Sequence, residues 1–215
     1  MSKKTIIGIV LNLIMIIFEI WAAINYINEV GFYEFKYYTL CSNTLGGIVS
    51  LLWIILITSK IKNKVFNNIV KYLAYTATIC LTVTFVIVLL VLIPMATGTE
   101  KHPTPWLAVK HYLFNSSNVF MHLLCPILFF NIFMFIFDFK FTNGYKDNLI
   151  ACIGTLLYAI IIIILCLARA VIPPYPFLDV YGQAWYMSIL WCIIILGVTY
   201  LMSMLIKFIK QKINN

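Results

Sequence analysis

Two stretches far apart in the chain carry residue types that could do chemistry together. The first is "FKYYTLCSNTLGG", which places Thr39, Ser42 and Asn43 at helical spacing at the head of an apolar run. The second is "YLFNSSNVFMHLLCPILFF", which carries Asn118 and His122. A hydroxyl is a poor nucleophile until a base takes its proton, and imidazole is the usual base near neutral pH. Thr39 or Ser42 with His122 would make such a pair. Asn43 or Asn118 could then orient the ring or donate to an oxyanion. Glu19 and Arg169 complete the set of polar residues at comparable depth. The chemistry that such a group suits is hydrolysis or transfer of a lipid ester. Thr39 and His122 are the catalytic candidates, and Asn43, Ser42, Asn118, Glu19 and Arg169 the supporting or substrate-binding ones.

Other chemistries lack a signature. The chain has no GxSxG, HExxH, P-loop or GxGxxG motif. Its six cysteines all fall in apolar segments and form no CxxC, so they read as small packing residues. No metal and no cofactor is expected.

The elements that must position these residues are membrane helices. Of 215 residues, 63% are hydrophobic and 10% charged, far from the balance of a soluble domain. Six apolar segments stand out, at Thr5–Ile27, Tyr37–Thr58, Ile69–Ile93, Tyr112–Phe137, Leu149–Ile172 and Tyr186–Phe208. Each is expected to be a helix, because hydrocarbon forces every backbone group to be satisfied within its own segment. The expected fold is therefore all-α: one polytopic domain, residues 1–215, with six transmembrane helices in a multi-pass protein of the cell membrane. The opening "MSKK" and apolar run resemble a signal peptide, but the run is too long for one and reads as a retained first helix.

The net charge of +8 does not point to nucleic acid, because the basic residues flank the apolar runs instead of forming a stripe. With the N-terminus inside, eleven basic residues fall on the inner side, Lys60 and Lys62 among them, against four outside (Lys36, Lys101, Lys110 and Arg169). Both termini are thus expected in the cytoplasm. The outer loops "MATGTEKHPTPWLAVKH" and "PPYPFLDVYGQAW" have the Pro, Trp and Tyr content of an interfacial belt.

On this topology the polar residues at membrane depth gather in the outer half, and the inner half has nothing comparable. Asn115, Asn118 and His122 are expected on one face of a continuous fourth helix. Pro126, four residues past His122, should kink that helix and free a carbonyl. A gap of about 8 Å in depth separates Thr39 from His122 if both helices start at the interface. Gly46 and Gly47 should let a neighbouring helix come close.

The motifs "YYTLCSNTL" and "HLLCPILFF" resemble those of the androgen-induced family of integral-membrane proteins. That family includes the androgen-dependent threonine hydrolases of animals and many small bacterial members. The resemblance implies six helices and hydrolysis of fatty-acyl esters with a threonine nucleophile and a histidine, which fall here on Thr39 and His122. Asn43 matches the polar residue after the threonine, at a step of four where the family pattern has three. "LLCP" follows His122 in place of the animal motif. The implied partners are a lipid-like substrate and the membrane. The residues alone also leave a second class open: a non-catalytic transporter, receptor or scaffold whose polar set is a ligand site or interhelical glue.

Overall fold

A computed structural model describes residues 1–59, 63–141 and 144–214, so Lys60 and Lys62 lie outside the described residues. Among these residues the chain is helical and has no strand. The main elements are α1 (Lys3–Val30), α2 (Tyr38–Thr58), α3 (Lys64–Ala96), α4 (Pro105–Phe114), α5 (Phe120–Ile136), α6 (Tyr145–Leu167) and α7 (Trp185–Asn214). Short 3₁₀ turns at Phe32–Lys36 and Pro176–Leu178 sit in the loops before α2 and α7. Among the described residues, five helices (α1, α2, α3, α6 and α7) are long and apolar enough to cross a membrane. Their outward faces agree with this. Leu157, Ile161 and Ile164 of α6 are each more than half exposed, as lipid-facing residues would be.

Side chains set the helix ends. Ser2 caps α1 by accepting from the Thr5 N–H. Gly31, at φ 87° and ψ 177°, takes a backbone conformation essentially reserved for glycine, ends α1 and donates to the Ile27 carbonyl. The Asn63 carboxamide oxygen accepts from the N–H groups of Val65 and Phe66 at the start of α3. Helix α3 is the hub of the bundle and packs against α2, α5, α6 and α7. The core between α1, α2, α3 and α5 contains Met15, Val49, Leu81, Phe129 and Phe133. Gly46 allows this close packing, since a Cβ there would lie 3.0 Å from both Met15 and Leu81 side chains.

The fourth apolar segment departs from the expected Tyr112–Phe137 helix. It is broken between α4 and α5, with Asn115 extended and Ser116 at φ 41°. The cause is local: Asn, Ser, Ser and Asn in succession offer the backbone side-chain partners that compete with helix. Asn115 therefore shares no helical face with Asn118 and His122. Within α5, a π-helical turn at Phe120–Leu124 lies directly before Pro126. The expected irregularity at this proline takes the form of a widened turn.

Each main pass runs from one end of the bundle to the other. Gly8 near the start of α1, Trp53 late in α2 and Ile136 at the end of α5 meet at one end. Lys210 of α7 reaches that end too and donates to the carbonyls of Met134 (2.7 Å) and Phe137 (2.8 Å), satisfying the open C-terminus of α5. Thr39, His122, α4 and the 3₁₀ turn at Pro176–Leu178 occupy the opposite end.

The expectation that one half of the bundle would lack buried polar groups does not hold. At the Lys3 end, Asp147 is fully buried and pairs with Lys207 at 2.9 Å. Tyr72 donates to Asp147 (2.9 Å), and Tyr75 donates to Asn148 (3.2 Å) and to the Ser203 carbonyl (2.7 Å). The fifth segment expected from sequence starts at Leu149, and so leaves Asp147 and Asn148 in a loop.

Candidate functional site

Thr39 lies in the first turn of α2, where the unpaired N–H groups of the helix terminus make the local potential positive. Its hydroxyl oxygen is 3.3 Å from Nε2 of His122. His122 Nδ1 is 2.6 Å from the carbonyl oxygen of Tyr112. A carbonyl only accepts, so Nδ1 carries the hydrogen. In the neutral ring Nε2 is then the unprotonated nitrogen and faces the Thr39 hydroxyl as an acceptor.

The break between α4 and α5 makes this possible. The last carbonyls of α4 have no partner within their own helix. His122 takes the carbonyl of Tyr112, and the Asn118 carboxamide donates to that of His111 at 3.0 Å. In an unbroken helix Tyr112 would bond to the N–H of residue 116 and could not hold the ring. The break also closes the expected depth gap. His122 is two residues into α5, not a third of the way along a helix starting at Tyr112, so it lies level with the start of α2. Ser116, at the break, is a non-glycine residue in the left-handed region and stores about 1–2 kcal/mol of backbone strain.

Asn43 locks the register between the two helices. It is fully buried and donates both to the Thr39 carbonyl (2.7 Å) and to the carbonyl of Met121 (3.1 Å), the residue before His122. It thus holds the nucleophile candidate and the base candidate through their backbones, and touches neither reacting atom. Ser42 points to α3 instead, bonding to the Thr39 carbonyl (3.0 Å) and to the Thr84 hydroxyl (2.8 Å). Glu19 is buried on α1 beside Gly47 and Cys125. Arg169 is exposed past the end of α6, its guanidinium 4.6 Å from the centre of the Tyr181 ring. Among the described residues no ion pair joins Glu19 to Arg169; the pair formed is Lys207 with Asp147.

Tyr175 is a member of the site that the sequence reading passes over. Part of the loop "PPYPFLDVY" packs into the bundle. Phe177 and Leu178 are buried, and the Tyr175 and Phe177 rings stack at 5.1 Å. The Tyr175 hydroxyl accepts from the Tyr38 N–H at 3.2 Å and lies beside the Thr39 side chain. Burial raises the Tyr175 phenol above its ordinary value, so it carries its proton and can donate. The Pro-Pro-Tyr-Pro run is the only signal available in sequence, and it speaks of a rigid loop, not of a place.

Thr39 and Tyr175 stand at the seam of two cavities. One is a polar vestibule of about 350 Å³ that also takes in Tyr37, Asn118 and His122. The other is an apolar compartment of about 50 Å³ between α3, α6 and α7, lined in part by Val83, Leu92, Ile162 and Leu196. At the vestibule, burial, then His102, then Lys101 hold the His111 imidazole below its ordinary value. The six cysteines are unpaired, and among the described residues no group of three His, Cys, Asp or Glu side chains is arranged to hold a metal ion. Compared with family models, curated proteins and solved structures, the chain matches none.

Proposed function

We propose that this chain is a membrane-embedded hydrolase of lipid esters with Thr39 as nucleophile and His122 as base. The observation that carries this reading is the Thr39 to His122 contact of 3.3 Å, with the far ring nitrogen held by a backbone carbonyl, at the junction of a polar and an apolar cavity. This is the geometry in which a base is oriented by a third group toward a hydroxyl.

In the first step the Thr39 oxygen attacks the ester carbonyl carbon, and its proton passes to His122 Nε2. Negative charge develops on the carbonyl oxygen, where the start of α2 and the Tyr175 hydroxyl can stabilise it. The ester C–O bond then breaks, and His122 returns the proton to the departing alcohol. Water from the vestibule attacks the acyl-threonine with His122 again taking a proton. The acid leaves and Thr39 is reprotonated. With an alcohol in place of water the same steps give acyl transfer.

The reading includes a topology of six crossings of the cell membrane with both termini on the cytoplasmic side. Helix α5, with 17 residues, spans about 25 Å, short of a bilayer core of about 30 Å. Helix α4 covers the rest at the outer end. The same reading assigns the chain to the androgen-induced family, on the two motifs quoted above.

The test is labelling with a fluorophosphonate probe. The purified protein should be labelled at Thr39, and Thr39→Ala should lose the label. Equal labelling of that variant, or none of the wild type, removes the proposed nucleophile. One observation favours the non-catalytic alternative. Oxygens of Asn12, Glu19, Asn43 and Ser50 are buried without a partner along the facing helices α1 and α2, and ester hydrolysis has no use for that file.

A further inference from the structure

Resting on the ester-hydrolase reading, we infer that Tyr38 and Tyr158 form a partition that limits the substrate to a short acyl group. The apolar compartment beside Thr39 is about 50 Å³. A single water needs about 10–15 Å³ by this measure, so the compartment has room for an acyl group of about two to four carbons. Immediately behind it, toward the lipid-facing side of α2 and α6, lies a second apolar hollow of about 550 Å³. Tyr38, Tyr158 and Ile162 line both. Space for a long chain therefore exists one side chain away from the nucleophile, with Tyr38, Tyr158 and Ile162 standing between the two.

The closure is built from fixed contacts. The Tyr38 and Tyr158 rings meet edge to face at 5.0 Å. The Tyr38 hydroxyl bonds to the Thr155 hydroxyl at 2.7 Å, tying α2 to α6. The Tyr158 hydroxyl donates to the Lys36 carbonyl at 2.6 Å, tying α6 to the turn before α2. The Ser42 to Thr84 bond joins α2 to α3 along the same wall. Aromatic side chains held at both ring and hydroxyl do not swing aside as a Leu or Met would. The vestibule is seven times the volume of the compartment (350 against 50 Å³), and its Asn and Tyr groups suit hydroxyls. The bulk of the substrate therefore sits on the alcohol side of the ester. The substrate class is a short-chain acyl ester of a large, hydroxyl-bearing, membrane-resident alcohol, a departure from the fatty-acyl esters that the family resemblance implies.

The experiment is a chain-length series of p-nitrophenyl esters, from acetate to dodecanoate, on the full chain in one detergent. An unaccommodated methylene costs about 10-fold or more in a tight apolar pocket. Wild type should therefore prefer acetate to butyrate over decanoate by at least about 10-fold in kcat/KM. Tyr158→Ala, which joins the hollows, should reverse the preference toward long esters, and Tyr158→Phe, which keeps the ring, should retain the wild-type profile. A wild-type optimum at octanoate or longer overturns the inference even if Tyr158→Ala does not fold. So does a Tyr158→Ala protein that still takes the fluorophosphonate label but has an unchanged profile. These results leave the parent reading intact when activity depends on Thr39. No hydrolysis of any ester, together with no label at Thr39, overturns both.

Discussion

The two ends of the bundle bury polar groups in opposite ways. At the Lys3 end, Asp147, Lys207, Lys210, Tyr72 and Tyr75 each meet a partner at 2.7–3.2 Å. The charges are spent on holding α3, α5, α6 and α7 together. At the Thr39 end the bonds go mainly to backbone carbonyls, through Asn43, Asn118 and His122 Nδ1. They leave one hydroxyl and one ring nitrogen facing each other beside open space. Buried polar residues are therefore not in themselves a sign of function in this protein. What separates the two ends is whether reactive atoms are left over after the structure has been satisfied, and whether a cavity reaches them.

The largest expected effect falls at the Thr39 end. His122→Ala should reduce ester hydrolysis by about 10³-fold, a far larger effect than the roughly 1–3 kcal/mol of stability lost when the Tyr112 carbonyl is left without its ring partner. A matched loss of stability and rate would instead place His122 with the structural residues. Asp147→Ala should do the reverse. It leaves the Lys207 ammonium, whose side chain is 12% exposed, with the Gly144 carbonyl but no counter-charge, and should cost about 3 kcal/mol in chemical denaturation, with Thr39 labelling of the folded fraction preserved. Asn43→Ala tests the link between backbone register and chemistry. Two donated bonds are lost, so the rate should fall by about 10–100-fold through misplacement of a base and nucleophile that both remain. Rescue by Asn43→Gln is not expected, because the longer arm cannot reach both carbonyls from the same backbone position. The smallest effect is at the vestibule. The ring-proton NMR signal of His111 should titrate with a midpoint below that of a free imidazole, and Lys101→Gln should move it upward, because a repelling charge has been removed. Protonation of His111 is thus disfavoured in the fold, and the stability it contributes by staying neutral is present above the unfolded-state value and lost as pH falls from there through the lower folded-state value.

Hydropathy alone located the apolar segments, since five long helices coincide with five of the six segments to within a few residues at most ends. Hydrophobic runs that long have one way to satisfy their backbones. Helical spacing likewise placed Thr39 and Asn43 on one face, where Asn43 bonds back to the Thr39 carbonyl. The same arithmetic failed between Tyr112 and Asn118. Polar side chains there compete with the backbone ladder, and local competition of that kind leaves no periodicity to read. Asp147 and Asn148 were missed for a related reason: they lie just outside an apolar run, and it is the packing of Lys207 and Tyr75 that buries them.

The sequence by itself determined that the chain forms long apolar helices carrying a hydroxyl, an amide and an imidazole in separate segments, because composition and period act along a single helix. Only the tertiary structure decided that Thr39 and His122 meet, that Tyr112 rather than an asparagine orients the ring, and that Tyr175 comes down from a loop beside them. Those contacts join residues 10 to 137 positions apart, and they depend on where one helix breaks and how its neighbours pack against the gap.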